Sequence, residues 1–142
     1  MDVFSSSNSP FSIVNHRLVG GGVIHVVCEK NRRGLGEPDM IILHYTGGTS
    51  AMSSAKFLAR SDVKASAHVV IGRDGQVIQL VPFNIEAWHA GKSRYGGRNE
   101  LNHYSIGIEL DNAGELQRVG DRYYSSFGRE YSPDQVYTTE EE

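Results

Sequence analysis

The stretch Ser105-Ile106-Gly107-Ile108-Glu109-Leu110 decides which fold this chain can adopt. Side chains alternate between the two faces of a strand, so Ile106, Ile108 and Leu110 share one face. We expect that face to contact a core, and the face with the serine, glycine and glutamate to form the floor of an open space. A carboxylate among apolar neighbours tends to have a raised pKa, which suits proton transfer. A solvated glutamate on a half-exposed strand is the simpler interpretation, and this stretch alone does not separate the two.

The composition indicates one ordinary globular domain. The chain has 142 residues, of which 39% are hydrophobic and 22% charged, and this length suffices for a single core. A net charge of −3 and a sequence pI near 6.1 argue against a nucleic-acid partner, because such partners usually require a basic surface for phosphates. The basic residues are scattered instead.

Targeting signals are absent from the sequence as given. Residues 1–10 have no basic start followed by an apolar segment, and no window is apolar enough to span a bilayer. We therefore expect no membrane span and a cytoplasmic chain as it stands, with its compartment undecided and action at the cell envelope still open. The single cysteine, Cys28, cannot form an internal disulfide, and we expect it to be a buried structural thiol.

The domain organisation follows from the glycine run at residues 20–22. We predict an N-terminal arm over residues 1–22 and one domain over residues 23–142, which begins with a β-branched strand from Val23 to Cys28. Residues 31–38 read as a loop.

The apolar run from Met40 to Leu43 predicts a central strand covered on both faces by helices. His44 follows at its carboxyl end, where open sheets place their ligands, and this position favours a functional role. Thr49 or Ser50 can then cap a helix that extends to Arg60, with one apolar stripe that faces the core.

Two further segments carry local signals. Residues 66–71 and 76–82 are β-rich and flank Asp74-Gly75, a turn signal, so they predict a hairpin. Residues 87–93 place Trp88 and His89 among small, flexible residues, which suggests a loop that lines a cleft. A buried tryptophan beside an exposed histidine fits the same segment equally well.

The C-terminal part gives weaker signals. From Glu115 to Arg129 the chain is polar and aromatic, with Tyr123, Tyr124 and Phe127 as candidate core contacts. Ser132-Pro133-Asp134 is typical of a helix start, but the sequence ends within about two turns.

Four motifs taken together resemble a known family: residues 42–46 (ILHYT), 66–75 (SAHVVIGRDG), 87–91 (AWHAG) and 101–110 (LNHYSIGIEL). They are similar to the zinc-dependent N-acetylmuramoyl-L-alanine amidases of the type 2 amidase group, which are related to peptidoglycan recognition proteins and phage amidase lysozymes. The resemblance covers roughly residues 38–135. It implies an α/β fold with a mixed central β-sheet flanked by helices, and a Zn²⁺ ion in a groove at one edge.

The resemblance also implies an activity and its residues. The reaction would be hydrolysis of the amide between N-acetylmuramic acid and L-alanine in peptidoglycan or a muropeptide. His44 matches the first zinc-binding histidine, and Glu109 matches the general base that acts on the zinc-bound water. We expect substrate contacts, without a metal role, from His68, Trp88, His89 and Asn102.

The sequence departs from the family at its C-terminus. Family members supply a second histidine and then an aspartate or cysteine after the helix that would start here at Ser132. A catalytic zinc site normally uses three protein ligands, so His44 alone would not hold the ion. We therefore expect the domain to be incomplete at its C-terminus and the 142-residue chain alone to be inactive. The apolar surface that the absent segment would cover should be exposed or paired in an oligomer.

Two alternatives stay open. The first is a metal-free module that binds muropeptides in the same groove without cleaving them, although retention of Glu109 beside His44 favours the enzyme. The second is a rearranged zinc site completed by His68, His89 or His103.

Overall fold

A computed structural model describes residues 9–138, and its main feature is a mixed five-stranded sheet. One α-helix of more than two turns occurs in these residues, α1 at Ala51–Ala59. Short 3₁₀ turns occupy Leu101–His103 and Pro133–Gln135. The strands, in chain order, are β1 Phe11–Val14, β2 Arg17–Gly20, β3 Ile24–His25, β4 Met40–Tyr45, β5 Val69–Ile71, β6 Val77–Gln79, β7 Arg94–Tyr95, β8 Arg98–Asn99, β9 Ser105–Leu110, β10 Gln117–Val119, β11 Arg122–Tyr124 and β12 Glu130–Tyr131.

The main sheet has the strand order β3-β6-β5-β9-β4. Strand β9 pairs in parallel with both β4 and β5, β5 pairs antiparallel with β6, and β3 is parallel to β6. The predicted mixed sheet is confirmed, and the predicted strand at residues 105–110 lies inside it. Within residues 9–138, no helix is long and apolar enough to cross a membrane.

Strand β4 lies at an edge of the described sheet, whereas its apolar sequence led us to predict a central strand. One face of β4 carries Ile41 and Leu43, whose side chains are 63% and 62% exposed. This exposed surface continues to Tyr45 and to Leu110 of β9. The expected exposure of a surface that an absent segment would cover, and its pairing in an oligomer, both stay predictions.

The other face of the sheet contacts α1. Val70 and Ile78 pack there against Ala51 and Ala55 of the helix in the main cluster of buried side chains. Glu109 is paired with Val70 and shares this face. The serine, glycine and glutamate of β9 therefore point toward the helix side, and the isoleucines point to the half-exposed side, the reverse of the expected core and open faces.

The helix and the hairpin form where the local signals predicted them. Ser50 caps α1, because the Ser53 amide donates a hydrogen bond to its hydroxyl oxygen at 3.2 Å. The β5–β6 hairpin turns at Gly75, whose φ of +83° is an angle that glycine adopts without strain.

The predicted N-terminal arm contains regular structure from residue 11 onward. Strands β1 and β2 form a hairpin whose turn residues, Asn15 and His16, both have positive φ. The Leu18 amide donates a hydrogen bond to the side chain of Gln79 at 2.7 Å, and the Phe83 amide donates to the His16 carbonyl at 2.9 Å. Residues 11–20 are thus attached to the sheet. Residues 1–8 lie outside the described part.

The predicted strand from Val23 to Cys28 is reduced to the two residues of β3, and Cys28 is a buried free thiol as expected. Residues 117–131, which the sequence did not resolve into elements, form a second small sheet of order β10-β11-β12. The helix start at Ser132 yields a single 3₁₀ turn with a capping box to Gln135. The rest of the predicted C-terminal tail, residues 139–142, lies outside the described residues.

Candidate functional site

His44 and Glu109 stand side by side at the carboxyl ends of two parallel strands. They are direct partners in the β4–β9 register, so their side chains share the face of the sheet that contacts α1. Both side chains are half-buried. The parallel pairing therefore brings together the two residues that the sequence analysis assigned to metal binding and proton transfer.

His89 packs directly on the backbone of β9 beside this pair. A Cβ atom at Gly107 would lie within 3.0 Å of three atoms of the His89 ring, a separation that van der Waals repulsion forbids. The glycine of the β9 motif is therefore needed for close approach of the imidazole. The floor of the groove is filled by this ring and is not the open space that we expected.

A chain of hydrogen bonds fixes the tautomers of both rings. The Ser105 hydroxyl donates to the Leu101 carbonyl at 2.7 Å, so its oxygen accepts from Nε2–H of His89 at 3.1 Å. Nδ1 of His89 is then the acceptor for Nε2–H of His44, at 3.0 Å. Within residues 9–138 this arrangement leaves the lone pair of Nδ1 of His44 without a hydrogen-bond partner, and it holds the ring in a single orientation, as hydrogen bonds to metal-ligating histidines do.

Burial changes the acid–base properties of this cluster. It raises the pKa of the Glu109 carboxyl above its ordinary value, and the nearby His44 partly offsets the effect. Burial also lowers the pKa of His89 to about 4, assisted by the neighbouring imidazoles of His44 and His68. His89 is thus neutral near pH 7, which its role as a hydrogen-bond acceptor for His44 requires.

Asn102 holds the loop that carries His89. Its side-chain oxygen accepts hydrogen bonds from the backbone amides of His89, at 3.0 Å, and Ala90, at 2.8 Å. The side-chain oxygen of Asn102 is thus occupied by the protein backbone, and contact of Asn102 with substrate stays a prediction. Asn102 is a positioning residue in this arrangement.

His68 is enclosed by other groups of the protein, contrary to our expectation that it contacts substrate. Its side chain is fully buried, Nδ1 accepts a hydrogen bond from the Gly107 amide at 3.0 Å, and Nε2–H donates to the Ile85 carbonyl at 2.8 Å. Both ring nitrogens are therefore occupied by backbone groups. The physical reason for the difference is that β5 lies inside the sheet and His68 immediately precedes it.

Trp88 directly precedes His89 in the chain and is 37% exposed. Its backbone amide donates to the Ser66 hydroxyl at 2.8 Å, and Nζ of Lys30 lies 5.9 Å from its ring centroid. Contact of Trp88 with substrate stays a prediction.

Lys30 was not singled out by the sequence analysis. Its ammonium nitrogen lies 2.6 to 2.9 Å from the carbonyl oxygens of Leu58, Arg60, Val63 and Ala65, which share its three N–H donors. These carbonyls belong to the end of α1 and to the segment that follows it. A lysine in a loop gives no local signal for such a role, because its acceptors are about 30 residues away in sequence.

The described residues do not fit a complete zinc site. Within residues 9–138 there is no group of three or more histidine, cysteine, aspartate or glutamate side chains that could hold a metal ion. The rearranged site that we considered is not supported, since His68 is occupied by backbone groups and His103 bonds to Glu86 at 2.6 Å and to Glu100 at 3.2 Å. The third candidate, His89, is hydrogen-bonded through Nδ1 to His44, so this nitrogen is not available to a metal ion in this arrangement.

Comparison with known proteins agrees with the motifs. A family model described as N-acetylmuramoyl-L-alanine amidase matches residues 34–141. The chain is 40% identical over 79 residues to the 1,6-anhydro-N-acetylmuramyl-L-alanine amidase AmpD of Escherichia coli K12, a match that covers 56% of this chain and 43% of that protein. It is 34% identical over 95 residues to the N-acetylmuramoyl-L-alanine amidase AmiD of the same organism, covering 62% of this chain and 33% of AmiD.

A solved structure supports the same assignment. The crystal structure of a selenomethionine derivative of AmpD superposes with a TM-score of 0.55 and 28% sequence identity, over 71% of this chain and 66% of that chain. The chain spans less than half the length of the two curated relatives that it matches. Since the family model covers more than half of its residues, this chain belongs to the N-acetylmuramoyl-L-alanine amidase family.

Proposed function

We propose that this chain provides the catalytic groove for hydrolysis of the amide between N-acetylmuramic acid and L-alanine, in peptidoglycan or in a muropeptide. The observation that carries this proposal is the register pair of His44 and Glu109 at the carboxyl edge of the sheet. Membership of the amidase family supports the choice of bond.

Glu109 is the proposed proton-transfer group. A carboxylate with a pKa raised by burial is a stronger base than an exposed one. It would accept a proton from the attacking water as the new C–O bond forms. It would then deliver that proton to the leaving amine nitrogen as the C–N bond breaks, so that Glu109 ends the reaction in its starting protonation state.

His89, Gly107 and Ser105 would keep the groove in the required geometry. The neutral His89 ring accepts from His44 and donates to Ser105, so the orientation of His44 depends on two other side chains. Gly107 leaves the space in which the His89 ring lies. These three residues would act through His44 without touching the scissile bond.

Zinc is our proposed cofactor, with His44 as one ligand. Three protein ligands are the usual requirement of a catalytic zinc site, and residues 9–138 do not contain such a set. The remaining ligands would have to come from groups outside these residues. We accordingly propose that the 142-residue chain alone does not turn over substrate.

A second candidate function is binding of muropeptides without hydrolysis. The incomplete set of metal-binding side chains in the described residues favours it. The raised pKa of Glu109 favours the enzyme, because recognition alone does not need a group poised for proton transfer.

The test combines metal content, binding and product formation. The protein is incubated with Zn²⁺ and a muramoyl peptide, and the released peptide is measured by mass spectrometry. Release of the peptide in the presence of a segment that supplies the remaining zinc ligands would support the enzyme, provided that Glu109→Gln abolishes this release. Tight binding with no release under any zinc loading would support the binding module.

The metal assignment has its own measurement. His44→Ala should reduce the zinc content, measured by atomic emission after dialysis, of any form of the protein that retains the ion. Unchanged stoichiometric zinc in that variant would place the metal elsewhere.

A further inference from the structure

A buried carboxylate lies three residues before His89 in the chain. The side chain of Glu86 is 7% exposed, and a carboxylate removed from water needs donors that face it. Two basic side chains of the described residues contact its Oε2 oxygen: Nδ1 of His103 lies at 2.6 Å and Nε of Arg33 at 3.5 Å. The Arg33 side chain is 68% exposed, so water screens its contact with Glu86. The half-buried His103 is therefore the main partner.

The backbone of Glu86 is itself fixed. Its amide donates a hydrogen bond to the Arg33 carbonyl at 2.8 Å, and its carbonyl accepts one from the side chain of Asn31 at 3.0 Å. Both partners belong to the loop that precedes β4. Glu86 thus offers a fixed acceptor to Nδ1–H of His103, which lies 17 residues further along the chain.

His103 belongs to the same short turn as Asn102. The 3₁₀ turn Leu101–His103 contains both residues, and the side-chain oxygen of Asn102 accepts from the amide of His89 at 3.0 Å. Neighbouring residues of a hydrogen-bonded 3₁₀ turn move together. A shift of His103 would therefore move the group that holds the His89 backbone.

The same turn orients the hydroxyl of Ser105. This hydroxyl donates to the Leu101 carbonyl at 2.7 Å, which leaves its oxygen as the acceptor for Nε2–H of His89. If the turn moved away, the hydroxyl would be free to rotate and to donate to Nε2 of His89 instead. The His89 proton would then reside on Nδ1 and face Nε2 of His44, and the proton of His44 would move to its own Nδ1. In that tautomer Nδ1 of His44 has no lone pair for a metal ion.

The turn is entered through a strained residue. Glu100 has a φ of +56°, in the left-handed region that disfavours residues with a side chain. Its carboxylate lies 3.2 Å from Nε2 of His103, but the Glu100 side chain is 74% exposed. Strained backbone conformations persist where the surrounding contacts hold them. The buried contact of His103 with Glu86 is one of the contacts that hold this turn.

We propose that Glu86 and His103 are positioning residues for the amidase site. Their buried contact holds the turn of residues 101–103 against the segment that carries His89. It thereby selects the tautomer in which Nδ1 of His44 keeps its lone pair for a metal ion. The proposal rests on the proposed amide hydrolysis, which gives the tautomer of His44 its function.

The test reads the tautomers of His44 and His89 by ¹⁵N–¹H NMR of the imidazole rings. The full chain is measured without zinc or substrate, at mildly alkaline pH so that neutral rings are observed. In the unmodified protein both rings should carry their proton on Nε2. His103→Leu removes the donor to Glu86, so signals of the Nδ1–H form of His44 should appear and the single tautomer should be lost. His103→Asn, whose amide still donates to Glu86, should keep the single tautomer.

Two further variants separate positioning from stability. The double variant Glu86→Leu/His103→Leu has no unpaired buried carboxylate, so it should unfold at a higher temperature than His103→Leu. Its His44 signals should nevertheless stay mixed, because the contact is still missing. Glu100→Gln, which acts on the other nitrogen of the His103 ring, is the matched control and should keep the single tautomer.

The proposal is overturned if either leucine variant keeps the single tautomer, or if His103→Asn loses it as His103→Leu does. It is also overturned if Glu100→Gln mixes the tautomers, because the exposed carboxylate would then hold the ring. The proposed hydrolysis survives each of these results, since zinc and substrate take no part in the measurement. A chain with the expected tautomers that neither binds nor cleaves muramoyl peptide in any zinc-loaded form overturns the proposed function alone.

Discussion

The ring of His89 occupies the space that any side chain at Gly107 would need. This contact places the imidazole over β9, where it accepts from His44 and donates to Ser105. The spacing of the β9 motif, in which the glycine lies two residues before Glu109, therefore serves two purposes. It admits the histidine that orients His44, and it keeps the carboxylate on the same face.

Gly107→Ala should displace the His89 ring and destabilise the protein. The added methyl group overpacks the site, which we expect to lower the free energy of unfolding by about 1–3 kcal/mol, and the hydrogen bond between His89 and His44 should be lost. Urea unfolding and the imidazole NMR signals measure the two effects. Gly36→Ala is the control, because a Cβ there would meet no atom within 4 Å. Equal stability of the two variants would contradict the contact.

Glu109→Gln should abolish proton transfer while it preserves shape. In any form of the protein that hydrolyses muramoyl peptide, we expect turnover to fall by a factor on the order of 100 or more, with folding unchanged. The measurement is peptide release together with thermal unfolding. Glu37→Gln, at an exposed loop position, should keep full turnover. Near-normal turnover of Glu109→Gln would remove this carboxylate from the mechanism.

The sequence predicted those elements whose signals are local. The caps and stripe of α1, the Asp74-Gly75 turn and the alternation in β9 each depend on a few neighbouring residues. All three elements formed where they were predicted, but the core and open faces of β9 are reversed. The position of β4 at a sheet edge depends on which strands pair with it. Composition does not encode that, so the same apolar run fits a central strand and a half-exposed edge strand.

The residues of the candidate site divide in the same way between those with a local sequence signal and those without one. His44 and Glu109 follow from their strands and motifs, and the parallel register of β4 and β9 brings them together. The burial of His68 and the loop-holding role of Asn102 depend on backbone groups distant in sequence, so no local pattern shows them. The β10–β12 sheet did offer a signal, because Gly120-Asp121 is a turn pair between short β-prone runs.

Lys30→Met should loosen the segment after α1 and alter the environment of Trp88. The variant removes the three N–H donors that four carbonyls share, and we expect a loss of about 1–3 kcal/mol in unfolding free energy because those acceptors lose their donor. Trp88 is the single tryptophan of the chain, so its fluorescence reports the departure of the ammonium group. Lys56→Met, on the exposed side of α1, is the matched control. An unchanged emission spectrum in Lys30→Met would contradict the placement of the ammonium beside Trp88.

Buried neutral histidines should make the protein less stable in mild acid. Burial lowers the pKa of His68 below its ordinary value of 6.5. At a pH just below 6.5 the unfolded chain therefore binds a proton at His68 and the folded protein does not. The stabilisation is complete above about pH 6.5 and is lost as the pH falls below that value. His89, with its pKa near 4, adds to the same trend.

Urea unfolding between pH 5 and pH 8 measures this dependence, and His68→Asn isolates the contribution of His68. The variant should be less stable at pH 8, because a buried hydrogen bond to Ile85 is lost. Below pH 6.5 the unfolding free energy of the variant should also change less with pH than that of the parent. The two slopes should differ by up to about 1.4 kcal/mol per pH unit, the effect of one proton. Val70→Ala, at a fully buried position without a titrating group, is destabilised by lost packing and should keep the parent's pH dependence. If His68→Asn and Val70→Ala show the same slope against pH, His68 is not buried as the neutral species and its assigned hydrogen bonds to Gly107 and Ile85 are incorrect.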